Sequence, residues 1–373
     1  MKKILKMIGW VVVSLVLILV IGIALFVNIS PEFGGSASKE KQLVYAKSEN
    51  FSEGKFVNKE DVNLDMSFST LVKMIQEYMK SHPNTVPENA ISVSKLDSLS
   101  IVQNQTKTKM VWFGHSTFLL EIGKHNILID PMFGNVPAPH PMLGAKRFST
   151  ELPIEIENLP QIDAVILSHD HYDHLDYGSI IKLKDKVSMF YVPLGLGVHL
   201  LEWGVSKEKI KELDWWQEVK HEELVFKCTP AQHFSGRGLN DRASTLWSSW
   251  VIQSDSENIF FSGDSGYGKH FKEIGEKYGP FDFAMMECGQ YNELWSDIHM
   301  FPEETVQAAL DVKAKRMMPI HWGAFKLALH SWTDPVERVI KKANELDVEI
   351  VVPQIGTTIN MKDSIENQVA WWK

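Results

Sequence analysis

Apolar and polar positions divide this chain into three regimes. Residues 8–27 hold no charged side chain over 20 positions, the length a helix needs to cross the hydrocarbon core of a bilayer. Further on, Phe68, Leu71, Met74, Ile75, Tyr78 and Met79 recur at the spacing of one helix face, with Ser67, Ser69 and Thr70 available to cap its start. Pro83, Asn84 and Pro87 then break the period. From about residue 109 the pattern changes to short apolar runs bounded by Gly, Pro, Asp and Ser, which read as strands over 110–113, 118–122, 126–129, 164–167, 223–228, 258–261 and 315–320. Helical spacing returns over 179–183, 196–203, 269–278, 302–310 and 334–346. Strands first, then strands alternating with helices, predict an α/β domain with a two-sheet core and helices outside. The resulting division is a short N-terminus (1–7), a membrane helix (8–27), a linker and lead-in with one amphipathic helix (28–105), and a catalytic domain (106–373).

The chemistry sits where apolar runs end. After Ala164-Val165-Ile166-Leu167 comes Ser168-His169-Asp170-His171-Tyr172-Asp173-His174. Neutral imidazole and carboxylate are the ligands that zinc and similar metals take. In an extended loop His169 and His171 point one way, while Asp173 and His174 can turn to a second point, so one loop can serve two ions. Three further runs end in ligand types: 223–228 leads to His233, 258–261 leads to Asp264 in Gly263-Asp264-Ser265-Gly266, and 315–320 leads directly to His321. Alone, each reads as readily as a structural histidine or a turn aspartate. Together with the dense loop they read as four strand ends delivering ligands to one edge of a sheet. Two cations roughly 3.5–4 Å apart acidify a shared water and polarise a phosphoryl oxygen. No Ser or Cys nucleophile is then needed, and no Gly-x-Ser-x-Gly elbow is present.

The chain resembles the metallo-β-lactamase superfamily, and within it the N-acyl-phosphatidylethanolamine-hydrolysing phospholipase D family and its bacterial relatives. The resemblance is carried by Gly114-His115-Ser116-Thr117, Leu128-Ile129-Asp130-Pro131, the segment 168–174, Val192-Pro193-Leu194-Gly195, Glu212-Leu213-Asp214-Trp215-Trp216, Gln232-His233, Leu246-Trp247, Gly263-Asp264-Ser265-Gly266-Tyr267, Gly279-Pro280-Phe281-Asp282 and Ile320-His321-Trp322-Gly323. The metal loop marks the superfamily; the segments at 212–216, 279–282 and 320–323 narrow it. Mammalian members carry Ile-Gly-Ala-Tyr where this chain has Cys288-Gly289-Gln290-Tyr291, near the expected substrate side, which bears on lipid specificity and not on the metals.

The resemblance implies an αββα sandwich holding two zinc ions, with iron or manganese suited to the same ligands. It implies His169, His171 and His233 on one ion, Asp173, His174 and His321 on the other, and Asp264 bridging. Asp173 has a second reading, as a general acid. Asp130 is expected to fix a ligand histidine from behind, and His115 to support the site or the fold. His299 precedes a Pro-Glu-Glu helix start; it reads equally as a residue beside the substrate phosphate and as a capping or packing histidine. Related enzymes form dimers, so a homodimer is also implied.

Charge and flanks adjust this picture. The 373 residues carry a net charge of −9, which argues against a nucleic-acid partner and against polybasic membrane attachment. Lys2, Lys3 and Lys6 precede the apolar span and no Lys or Arg follows until Lys39, so the positive-inside rule puts the N-terminus in the cytoplasm and the catalytic domain outside it. A cleaved signal peptide is the rival, with an apolar core usually shorter, roughly 7–15 residues; the small residues 34–38 would permit cleavage. Cys228 and Cys288 allow one disulfide without requiring it. Trp215-Trp216 reads as core, and Trp371-Trp372 as an exposed membrane contact.

The expected function is a membrane-anchored phosphodiesterase acting on a phospholipid such as N-acyl-phosphatidylethanolamine, by attack of a hydroxide shared between two metals. The same site would also suit a soluble phosphoester or lactone. An apolar channel beside the metals favours the first and a small polar pocket the second. A nuclease fits the acidic balance poorly. A non-catalytic envelope protein with structural metals would have a site closed by protein ligands.

Overall fold

The computed structural model describes residues 2–62, 68–102, 107–363 and 369–373. Ser67 and the expected boundary at 105/106 lie outside the described residues. The strands are β1 Phe51–Ser52, β2 Lys55–Phe56, β3 Lys109–Trp112, β4 Phe118–Ile122, β5 His125–Ile129, β6 Ile162–Ile166, β7 Val187–Pro193, β8 Ile210–Leu213, β9 Glu218–His221, β10 Leu224–Thr229, β11 Ser249–Gln253, β12 Asn258–Phe261, β13 Phe283–Glu287, β14 Arg316–Ile320, β15 Glu349–Ile350 and β16 Thr358–Asn360. The helices are α1 Lys2–Ile29, α2 Lys39–Tyr45, α3 Phe68–Met79, α4 Ser98–Val102, α5 Tyr177–Leu183, α6 Gly197–Glu202, α7 His270–Lys277, α8 Pro302–Asp311 and α9 Asp334–Glu345. Every strand and helix expected from 109 onward is present, with ends displaced by no more than about two residues. The pattern did not reveal β8 and β9, whose Lys and Glu residues interrupt the apolar signal, nor the parallel strands β7 and β13, nor β11, β15 and β16.

Two seven-stranded sheets face each other, in the orders β16-β3-β4-β5-β6-β7-β8 and β15-β14-β13-β12-β11-β10-β9. Alternation along β4 explains the layering. Phe118, Leu120 and Ile122 enter the core between the sheets, while Leu119 joins the outer cluster with Leu128, Val165, Ile180 and Leu183 beneath α5. Both faces are covered, which is why these strands read as unbroken apolar runs. On the other sheet α7, α8 and α9 bring Phe271, Ile274, Val306 and Val339 onto the outer face. This is the expected αββα architecture.

Parallel pairing gathers strand ends. Ile129 pairs with Ile166 and Ile166 with Tyr191, so β5, β6 and β7 finish together. In the second sheet Phe261 pairs with Met285 and Glu287 with Ile320, so β12, β13 and β14 do the same. Parallel neighbours need helical crossovers, and α7 and α8 supply them.

The segment before the sandwich is packed on it. Tyr45 and Phe56 are buried and join the main apolar cluster, and the Phe56 amide donates to Ala243 O at 2.8 Å. Helix α3 lays Met74 and Tyr78 beside a cavity of the catalytic domain. Helix α1 has 28 residues, none of them buried, and is long and apolar enough to cross a membrane. The Trp371-Trp372 pair corrects the expectation of an exposed contact: Trp372 is buried, and Trp371 stacks on Trp322 at 5.3 Å. Packing three indoles together removes more apolar surface from water than leaving a pair at the chain end would. Cys228 and Cys288 are buried free thiols.

Candidate metal centre

All seven candidate ligands meet where the strand ends converge. The loop after β6 delivers His169, His171, Asp173 and His174; the segment after β10 delivers His233; the turn after β12 delivers Asp264; and His321 directly follows β14. Gly263 has φ +58°, and a Cβ there would stand 2.6 Å from Ser248 O, so the turn that presents Asp264 requires glycine. His115, Asp130 and His321 hold positive φ of 57°, 40° and 67°, a conformation costly for side-chain-bearing residues that clusters at functional sites. Paired backbone bonds hold two of them: His321 N donates to His115 O, and His115 N to Trp322 O, each at 3.0 Å.

The ligand atoms form two clusters joined by one carboxylate. His171 Nδ1 lies 3.0 Å from His169 Nε2 and 3.2 Å from His233 Nε2. Metal–nitrogen bonds of about 2.0–2.1 Å in a tetrahedron set ligand atoms roughly 3.3 Å apart, so these three imidazoles are spaced as ligands of one ion. The second cluster holds His115, Asp173, His174 and His321. Within it His174 Nε2 is 3.4 Å, and His321 Nε2 4.0 Å, from Asp173 Oδ2. Asp264 stands between: Oδ2 is 3.1 Å from His174 Nε2, 3.7 Å from His169 Nε2 and 3.9 Å from His233 Nε2, and Oδ1 is 3.1 Å from His321 Nδ1. His174 Nε2 and Asp264 Oδ1 are buried without a hydrogen-bond partner. Buried polar atoms are normally satisfied, and a divalent cation among these donors would satisfy both. The residues present fit a two-metal centre.

Other groups hold the ligands in place. Asp130 Oδ2 accepts from His174 Nδ1 at 2.7 Å and from Ser168 Oγ at 2.5 Å, and Oδ1 from the Ser168 amide at 2.7 Å. His233 Nδ1 donates to Ile298 O at 3.1 Å. His115 Nε2 lies 2.7 Å from Asp173 Oδ2, so His115 orients that carboxylate. Burial, then repulsion from neighbouring histidines, pushes His169, His233 and His321 well below the usual histidine range, and burial lowers His171 as well; each shift favours the neutral form that a metal ligand needs. Burial opposes a charge on His174, but Asp264 and Asp173 hold it well above that range. Burial pushes Asp264 up to about 6 against the pull of His174. A divalent cation removes this conflict by stabilising both carboxylates and leaving the imidazole neutral.

Two features escaped sequence reasoning. Glu287, at the end of β13, is fully buried; its Oε1 lies 3.2 Å from His299 Nδ1, and its Oε2 accepts from the Met300 amide at 3.0 Å. The run Phe283-Ala284-Met285-Met286 ending in Glu287 is the same signal that marked the candidate ligands. Asn58 was hidden by distance in sequence: its side chain accepts from the His233 amide at 3.1 Å and donates to His233 O at 2.8 Å.

A cavity of about 350 Å³ opens onto the cluster. His171, Asp173, Asp264, His299 and His321 form its polar wall, and Met74, Phe234, Leu294, Trp295, Ile298 and Leu327 its apolar wall. His299 is therefore at the cavity, stacked on His321 at 5.2 Å, and is not the cap of α8. There the Phe301 amide is satisfied by Glu304 at 2.9 Å. Gln290, in the segment that departs from the mammalian pattern, also lines the cavity.

Comparison with known proteins agrees with the fold. Residues 125–322 match the model of a beta-lactamase superfamily domain. An uncharacterized protein of Mycobacterium tuberculosis is 38% identical over 350 residues, covering 92% of each chain. The N-acyl-phosphatidylethanolamine-hydrolyzing phospholipase D 1 of Caenorhabditis elegans is 32% identical over 264 residues, covering 66% of this chain and 74% of that one. A metallo hydrolase of Ignicoccus hospitalis superposes with a TM-score of 0.52 at 22% identity, covering 69% of this chain and all of the other. The chain belongs to the metallo-β-lactamase superfamily and is a metal-dependent hydrolase of that fold. Within the superfamily it is related to the phospholipase D enzymes that hydrolyse N-acyl-phosphatidylethanolamine. The fold implies divalent metal ions.

Proposed function

We propose that this protein is a membrane-anchored phosphodiesterase that cleaves a phospholipid of the N-acyl-phosphatidylethanolamine type in the manner of a phospholipase D. One observation carries the reading: the cavity has a polar wall of candidate ligands and His299 and an apolar wall of Met74, Phe234, Leu294, Trp295, Ile298 and Leu327. A phosphodiester with acyl chains needs both walls, whereas a small soluble ester needs the polar one alone. The worm relative bears the same activity in its name, and an anchor keeps the site near a substrate that stays in the bilayer.

When bound, two divalent ions supply a water acidified toward neutrality and positive charge for the phosphoryl oxygens; zinc suits the donor set, and iron or manganese would also fit. The chain's own residues do the rest. His169, His171 and His233 would hold one ion, Asp173, His174 and His321 the other, and Asp264 lies between the two sets. Asp130 fixes the His174 ring so that Nε2 faces the centre. His115 fixes Asp173, which is placed to hold or pass a proton at the leaving oxygen. His299 is kept neutral by burial, at about 3. With Nδ1 turned to Glu287, its Nε2 is the atom left for a substrate oxygen.

The test is turnover of N-acyl-phosphatidylethanolamine in mixed micelles by the full chain, as purified, after chelation and after zinc return. Phosphatidic acid lost on chelation and regained with zinc is expected. Metal-dependent hydrolysis of a soluble diester or lactone with no lipid turnover would move the function to a soluble substrate. The same reading places the chain as a single-pass membrane protein with its catalytic domain outside the cytoplasm.

A further inference from the structure

The end of α1 is bolted to the catalytic domain beside the metal loop. Just past the helix, Glu32 O accepts from Arg237 Nε at 2.8 Å and Nη2 at 2.6 Å, and Pro31 O accepts from Trp203 Nε1 at 2.7 Å. The other face of the same guanidinium donates from Nη1 to Asp170 O at 2.6 Å and Leu175 O at 2.8 Å, inside and after the metal loop. Within the last turn of α1, Phe26 meets Phe33 at 5.4 Å and His140 at 6.2 Å. Phe33 in turn meets Tyr172 of the metal loop at 6.4 Å.

These contacts fix depth. The apolar span of 20 residues ends at Val27, where Asn28 follows; at 1.5 Å per residue it is about 30 Å long and fills the hydrocarbon core. Phe26 therefore lies at the outer edge of that core, and whatever touches Phe26 and Glu32 lies at the membrane surface. Two loops do. One carries His140 and, next to it, Met142 and Leu143, which are 86% and 64% exposed. The other runs from Arg237 to Arg242 and carries Leu239 at 74% exposure. Large apolar side chains on loop tips are costly in water. Here three of them lie on the two loops that touch the helix exit.

The second loop also reaches the cavity. Arg237 at its start holds the anchor, and Arg242 at its end lines the cavity, stacked over Phe234 at 4.1 Å. Arg242 is the cavity's one guanidinium or ammonium group among the described residues, and it closes the loop that Arg237 ties to Glu32.

Resting on the anchored reading above, we propose that the loops 140–143 and 237–242 form a second contact with the bilayer. Met142, Leu143 and Leu239 enter the boundary between headgroups and acyl chains, and the Arg242 side of the cavity is pressed against the headgroups. Lipid then enters the site without leaving the bilayer, and the anchor sets orientation as well as proximity.

Depth-resolved fluorescence quenching tests this without reference to activity. Cys228 and Cys288 are fully buried, so single cysteines can be labelled with an environment-sensitive dye on the full chain. Met142→Cys, Leu239→Cys and Val20→Cys would be reconstituted in phosphatidylcholine–phosphatidylglycerol vesicles containing shallow or deep spin-labelled lipid. Asp255→Cys, in the exposed turn between β11 and β12 at the opposite end of the strands, is the dry control. Shallow-label quenching at 142 and 239 several-fold above that at 255, with deep-label quenching at 20, is the expected result. Quenching at 20 with 142 and 239 no different from 255 would overturn the second contact and leave the anchor standing. No quenching at 20 would overturn both. A Met142→Asp/Leu239→Asp chain with the dye on Leu143→Cys is the second check: its quenching falls to the control level if the tips insert, and stays unchanged if that position merely lies near the surface.

Discussion

His174 is held from both sides by carboxylates: Nδ1 is 2.7 Å from Asp130 Oδ2, and Nε2 is 3.1 Å from Asp264 Oδ2. Asp130 is not itself placed as a ligand, yet it decides which nitrogen of His174 is free to be one. Asp130→Asn keeps the volume and halves the acceptor capacity, leaving the Ser168 amide and His174 to compete for one oxygen. Groups behind a ligand typically contribute about 10–100-fold in metal affinity. That loss is expected in a competition titration against a chromophoric chelator, with the near-ultraviolet dichroism unchanged. An affinity within about twofold of the parent would confine Asp130 to holding the β5–β6 junction.

Asp264 and His299 separate metal binding from substrate handling. Asp264→Asn removes the charge that joins the two clusters, so metal content should drop below two ions per chain and turnover by about 100-fold or more. His299→Gln should keep the full metal content, because Nδ1 already faces Glu287, and lower kcat by roughly 10–100-fold. Metal analysis of both variants beside their kinetics checks the assignment. Loss of metal from His299→Gln would make His299 a ligand.

The metal loop was legible because its chemistry is contiguous: five donors in six positions follow a buried strand, and the fold only has to bring the remaining strand ends to the same edge. His233, Asp264 and His321 were legible by the same rule, an apolar run that stops on a donor. Glu287 obeyed that rule too, but the sequence does not say which strand ends face the centre; pairing between β13 and β14 decides that. Arg237 and Asn58 were invisible for a different reason. The bonds that tie them to the site go to backbone groups, Glu32 O and Asp170 O for one and the His233 peptide for the other, and backbone atoms leave no mark in the sequence. The strands β8 and β9 hid because sheet-edge positions tolerate the Lys and Glu residues that erase the alternation. Trp371-Trp372 misled because an indole pair at a chain end fits an interface as well as a core until Trp322 is placed beside it.

The apolar wall should set substrate class. Leu294→Ser and Met74→Ser each remove an aliphatic surface from the cavity without touching a ligand. Burial of such a side chain is worth up to about 1.5–3 kcal/mol, so kcat/KM for a long-chain lipid should fall roughly tenfold per site, mostly through KM. For a soluble phosphodiester it should change by less than about twofold. Equal losses on both substrates would mean that the wall supports the site and does not select the lipid.

His270 gives the fold an acid-sensitive point that is not itself one of the seven candidate ligands. Burial lowers it to about 3, and its Nε2 lies 3.0 Å from Ser265 Oγ. The unfolded chain binds a proton there below about 6.5, while the folded chain resists until about pH 3. The unfolded state thus carries more protons across that window, and stability falls as pH drops through it, by up to about 1.4 kcal/mol per pH unit. His270→Asn cannot titrate. Urea unfolding at pH 7 and pH 5 in saturating zinc should show a smaller acid-induced loss for the variant than for the parent. Identical losses would remove His270 from the account of acid stability.

Arg237 ties the anchor exit to the metal loop, and a cycle of variants can weigh that tie. Arg237→Met keeps much of the stacking on Tyr172, which the guanidinium makes at 4.1 Å, but leaves Glu32 O, Asp170 O and Leu175 O without their donor. Charged hydrogen bonds of this kind contribute roughly 1.5–3 kcal/mol each, and unsatisfied buried carbonyls cost more than exposed ones. A loss of about 2–4 kcal/mol in urea unfolding is expected. A chain beginning at Gly35 lacks Glu32, so there Arg237 keeps only its bonds to the metal loop and the same substitution should cost less. A chain beginning at Ser30 retains Pro31 and Glu32 and should show the full cost. The difference between the two chains is the coupling energy of the Arg237–Glu32 pair. If it is zero, the lead-in rides on the domain without supporting it. If it amounts to about 1 kcal/mol or more, the residues just outside the membrane help hold Asp170, and with it the histidines on either side, and the anchor is a structural part of the catalytic unit.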